Sequence, residues 1–152
     1  MMSGERYPDQ PEPRPVTPQQ AQLIAGLMPL SPLLLAGISY FIVSQAQAEG
    51  QTPNDIGPLL FLLLCAAASG LVASFVLKRI IAAQAAPGPE GLQMRFQATL
   101  IAVALAEAPA VIGVILSFFT FDFTIPGILF GAAVGFGYFH FPTQRWLLGE
   151  TA

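Results

Sequence analysis

The sequence predicts an all-α integral membrane protein: a bundle of four transmembrane helices preceded by a disordered N-terminal tail. Three observations carry that expectation. Hydrophobic residues make up 54% of the chain and charged residues 10%, against about 25% charged in an ordinary soluble domain. The apolar residues fall into four runs, about 20–44, 56–77, 96–120 and 124–141, close to the ~20 residues that a bilayer-spanning helix needs. The third run carries one ionisable residue near its middle, Glu107. A carboxyl group at that depth is costly in its ionised form, so it should be neutral, partnered or functional.

Residues 1–19 hold five of the fourteen prolines, together with Glu5, Arg6, Asp9, Glu12 and Arg14, and almost nothing apolar. Such a segment buries too little surface to offset its ordering entropy, and it is read as a disordered cytoplasmic tail. The transmembrane domain then covers 20–146, with 147–152 as a short C-terminal tail. Thr17, Pro18 and Gln20 form a capping-box pattern that starts the first span. Pro29 and Pro32 lack the amide hydrogens that would serve the carbonyls of Ala25 and Met28, so a kink is expected there.

The second span enters between Pro53 and Pro58 and closes at Lys78 and Arg79. Along it Ala66, Gly70 and Ser74 recur every fourth residue, the small-residue spacing that lets membrane helices approach closely. The Pro- and Gly-rich segment 85–91 is a turn leading into the third span at Arg95. The third and fourth spans are separated by only a few residues around Phe121–Phe123, which implies a tight antiparallel hairpin. On the fourth span Gly127, Gly131 and Gly135 form a glycine ridge, expected to make a close helix contact within the hairpin or between protomers. Pro142 ends that helix, and Arg145 and Trp146 suit an interfacial anchor.

Positive charges near the spans lie on the tail, between residues 78 and 95, and at Arg145, with none in the other two loops. The positive-inside rule therefore places both termini and the middle loop in the cytoplasm, which assigns the chain to the cytoplasmic membrane. The six Lys and Arg form no cluster along the sequence, which argues against a nucleic-acid partner. The expected partners are the lipid bilayer and other membrane subunits or a second copy of the chain.

Glu107 supports three readings. A neutral carboxyl bonded to a serine or a freed carbonyl would fix helix packing; one that exchanges a proton or cation would serve transport; one in an interface would meet another subunit. Helical geometry places Val103, Ala104, Ala110 and Val111 on its face, and the cost of a carboxyl in lipid favours a bundle-facing orientation. Ser31 and Ser69 should lie at similar depth and are the candidate partners.

The segment ALAEAPAVIGVILSFF, residues 104–119, resembles the ion-carrying helix of the proteolipid ring subunits of rotary ATPases, where a mid-helix carboxylate sits among alanines ahead of a glycine. That resemblance implies Glu107 as a proton or cation carrier. The glycine-rich helix follows the acid-bearing one here, whereas in those subunits it precedes it. As a whole the chain resembles small four-span bacterial membrane proteins. Of the remaining groups, His140 is expected at the interface and Cys65 as a small buried hydrophobe. No catalytic or metal site, cofactor or enzymatic activity is expected.

Cysteine labelling at positions 50 and 85 checks the orientation. Position 50 should react from outside only and position 85 from the cytoplasmic side only. Modification of position 50 from the cytoplasmic side alone would overturn this topology.

Overall fold

The computed structural model describes residues 16–150, and among them every regular element is helical. Helix α1 (Pro18–Leu27) passes through a 3-10 turn at Met28–Leu30 into α2 (Ser31–Ala48). Helix α3 (Gly57–Ala83) follows, then a 3-10 turn at Gly88–Gly91 leads into α4 (Leu92–Ala106) and α5 (Ala108–Thr120), which meet at Glu107. Helix α6 (Thr124–Phe139) and the short α7 (Gln144–Leu148) complete the fold. Three of these segments, Pro18–Ala48, Gly57–Ala83 and Gly88–Thr120, are long and apolar enough to cross a membrane. Helix α6 has 16 residues, about 24 Å at ~1.5 Å per residue, shorter than a hydrocarbon core of about 30 Å.

Local chemistry explains the boundaries. The Thr17 hydroxyl accepts from the Gln20 amide at 3.3 Å while the Gln20 side chain accepts from the Thr17 amide at 3.0 Å, so the capping box closes and α1 begins at Pro18. The expectation for the tail lies, over residues 1–15, outside the described residues. Helix α3 does not close at Lys78 and Arg79. It runs on to Ala83, because nothing before the Pro87 region interrupts a good helix-forming stretch. Leu147 and Leu148 likewise do not belong to a tail: Thr143 caps α7, Gly149 ends it at φ +71°, and Leu147 is fully buried. At the α5–α6 turn, Asp122 accepts hydrogen bonds from the backbone amide and the hydroxyl of Thr124, which hold its carboxyl below the ordinary range.

The α4–α5 pair sits at the centre, packed against α1, α2, α3, α6 and α7. Ala98, Ala102, Val103, Ala106 and Ala110 along it are all fully buried. Both ends of the bundle are tied. At one end Gln22 donates to the Pro142 carbonyl, and Leu147 packs on Ala21 and Phe96. At the other, Gln47 donates to the Phe121 carbonyl, and the Asn54 amide donates to the Phe119 carbonyl. The outer surfaces of the helices carry large exposed hydrophobics, among them Leu34, Phe41, Phe61, Ile128 and Phe139. An aqueous protein would not expose so continuous an apolar surface, whereas hydrocarbon solvates it.

Small residues do mediate close packing, but not all of those expected. A Cβ at Gly70 would lie 2.6 Å from the Ala108 Cβ, so α3 touches the α4–α5 junction through that glycine. Ser74 is buried one turn further on, whereas Ala66 is exposed, because α3 presents only part of that stripe to α4–α5. The glycine ridge of α6 is not an intramolecular contact. Gly131 and Gly135 are exposed, with nothing within 4 Å of an added Cβ, and at Gly127 the neighbour is the adjacent Phe123 ring. Gly137, off the ridge, makes the close approach instead: its added Cβ would meet Pro29 at 3.1 Å. Cys65 is exposed on α3 rather than buried, since it shares the outward face of that helix.

Gly70→Leu should therefore destabilise the fold by about 2 kcal/mol or more through overpacking, while Gly131→Leu should leave the monomer within about 0.5 kcal/mol of wild type. Thermal unfolding of the two variants in detergent measures the difference.

Candidate functional site

The centre of the molecule is built on two helix interruptions. Pro109 has no amide hydrogen for the Leu105 carbonyl, so the i to i−4 ladder fails there. The Glu107 amide splits its donation between the Val103 and Ala104 carbonyls at 3.2 and 3.3 Å, and its own carbonyl accepts from Ala110 and Val111. Glu107 thus ends α4 and precedes α5. Pro29 and Pro32 do the same on the first helix, where both rings are buried and Ser31 opens α2 immediately after the 3-10 turn.

The two breaks meet. Ser31 Oγ donates to Glu107 Oε1 at 2.6 Å, a bond that joins residues 76 apart in the chain. Ser69 is not part of this arrangement: it is exposed, and its hydroxyl donates back to the carbonyls of Cys65 and Ala66 on its own helix. Depth in the bundle was matched, but the face was not.

Glu107 also does not point wholly into the bundle. Its side chain is half-buried, because Val103 and Ala110 beside it are fully buried while Ala104 and Val111 are exposed. The carboxyl lies at the seam, where it borders a shallow groove of about 520 Å³ formed with Ile24, Leu27, Leu30, Ser31 and Leu34. That groove is almost wholly apolar and opens on the outer surface. The polar atoms of the site are therefore a single hydrogen-bonded pair set against hydrocarbon-like side chains.

A second polar pair lies nearer the end of the bundle. His140, at the end of α6, is buried within the protein, with Nε2 2.8 Å from Ser74 Oγ. The Ser74 hydroxyl also lies 2.6 Å from the Leu71 carbonyl of its own helix, so it can donate to that carbonyl or to His140, according to which imidazole nitrogen carries the proton. Among the described residues no three His, Cys, Asp or Glu side chains converge as metal ligands would.

The role of Pro109 as the breaker was available in the sequence, two positions after the acid; the Ser74–His140 pair, spanning residues from separate helices, had no local signal. The chain matches no known family model, and neither a curated protein nor a solved structure is significantly similar to it.

The serine–glutamate bond can be tested by its removal. Ser31→Ala leaves the carboxyl without its donor and should cost about 1–2 kcal/mol. Unfolding in detergent that matches wild type would show that the bond does not hold the breaks together.

Proposed function

We propose that this chain is an accessory or assembly subunit of the cytoplasmic membrane, which it crosses four times with both termini in the cytoplasm. The observation that carries the reading is the Ser31–Glu107 hydrogen bond. The one acid within an apolar span is committed to a partner on another helix, at a point where both backbones are interrupted. In that role it fixes how the helices meet and performs no chemistry. The fourth crossing falls to α6, whose shortness a locally thinned bilayer accommodates. Its support is the pair of ties at opposite ends of the bundle, with Phe121 and Asn54 at one and Pro142 at the other.

Assembly is the second half of the reading. The α6 face bearing Gly131 and Gly135 is open within the protomer, and a neighbouring membrane helix could approach its backbone closely there. The occupant is another membrane subunit or a second copy of the chain. The protein is taken to act without enzymatic turnover, as a packing partner in a larger membrane assembly.

One observation favours a second reading, translocation of a proton or cation by Glu107. The carboxyl borders the outward groove, so a group outside the bundle can reach it. The two readings separate on Glu107→Gln, which keeps shape and hydrogen-bonding capacity but cannot change charge. An assembly role predicts near-wild-type folding and association for this variant, and no ion flux in wild-type proteoliposomes. Measurable wild-type flux that Glu107→Gln abolishes, with the fold intact, would establish the translocation reading and sink the assembly one.

A further inference from the structure

Three of the six basic residues, separated along the sequence, come together at one end of the bundle. Lys78 and Arg79 on α3 and Arg95 on α4 line a cavity of about 470 Å³, with His140, Trp146 and Phe75 among the other walls. Among the described residues no acidic side chain lines it. Its size falls within the roughly 300–1,000 Å³ of ordinary small-molecule sites.

The donors around this cavity are held but not exhausted. Lys78 Nζ donates to the His140 carbonyl at 3.0 Å and sits 4.6 Å from the centre of the Trp146 ring, leaving two of its three hydrogens. The Arg95 guanidinium is buried and donates to the carbonyls of Ala86, Gly88 and Leu147, three of its five donors. Its seat needs glycine: a Cβ at Gly149 would lie 2.5 Å from Arg95 Nη2, and one at Gly91 2.7 Å from Nη1. A fixed guanidinium, a second on an exposed side chain and an ammonium therefore face a common space, with no carboxylate among the described residues at its walls. Fixed positive groups in a partly enclosed site select an anion, and the fork of an arginine suits phosphate.

Position decides the source of that phosphate. The cavity lies at the end of apolar helices, beside the exposed Val76, Ile80 and Phe139 of their outer surfaces, and Trp146 at its wall is the residue type that favours the headgroup level. We propose that the cavity binds the phosphate of an anionic phospholipid headgroup, with the acyl chains lying along α3 and α6. This rests on the helices spanning a bilayer, not on the assembly role of Glu107.

Trp146 is the single tryptophan of the chain, so its fluorescence reports on this cavity alone. The full-length protein would be reconstituted in nanodiscs of phosphatidylcholine with increasing phosphatidylglycerol, with emission and thermal stability followed together. A saturable change in emission and a rise in Tm are expected. Arg79→Gln, which disturbs none of the hydrogen bonds above, should weaken the response about fivefold, and so should Lys78→Gln. Arg145→Gln, exposed and outside the cavity, should respond as wild type. Equal loss in Arg145→Gln and Arg79→Gln would reduce the effect to general surface attraction and overturn the site. An equal response to inorganic phosphate in pure phosphatidylcholine discs would overturn the lipid assignment in favour of a soluble phosphate compound. No change in either readout would overturn the proposal altogether.

Discussion

Pro109 cannot donate to Leu105, and the helix at the centre of the bundle is broken as a result. The first helix would meet a continuous rod with no polar group presented to it. Interruption at Glu107 instead brings a carboxyl to the corner where α4 passes into α5, opposite the corner that Pro29 and Pro32 make in the first helix. The Ser31–Glu107 bond joins the two corners at 2.6 Å. On the α3 side of the same junction, Gly70 removes the side chain that would collide with Ala108. Three helices are thus registered to one backbone defect, and the packing above and below it follows from where they are pinned.

Some buried hydroxyls return their hydrogen to nearby backbone. Thr99 donates to the Arg95 carbonyl and Ser117 to that of Gly113, each within its own helix. Such bonds satisfy a hydroxyl without specifying which helix is its neighbour. Glu107 has no comparable local solution, and a half-buried carboxyl against apolar side chains is costly without a donor. That asymmetry lets one acid fix the centre of the bundle, while side-chain bonds to distant carbonyls tie its two ends.

Much of the helical layout was legible because it depends on short-range chemistry. The capping box at Thr17, the proline turn at Met28–Leu30 and the break between α5 and α6 each arise from residues within one turn of one another. Ser31 could be matched to Glu107 by depth, since depth follows from counting residues. Facing direction could not be read so easily: Ser69 has the same depth and points away, and Cys65 shares its exposed surface. The glycine ridge failed as an internal contact for a related reason. Spacing shows that small residues share a face of α6, but α6 turns Gly137 toward Pro29, not Gly131 and Gly135. The basic end was invisible along the chain because Lys78 and Arg95 are brought together only when the 85–91 turn folds α4 back along α3.

The seat of Arg95 bears on how the protein is made. One of its three carbonyl acceptors, Leu147, lies in the last helix of the fold, 52 residues downstream. The other two, Ala86 and Gly88, lie within nine residues of Arg95 and are in place as soon as α4 forms. The guanidinium can therefore be held locally before α7 covers it, so closure of this end is a step separable from formation of the helix that carries the charge.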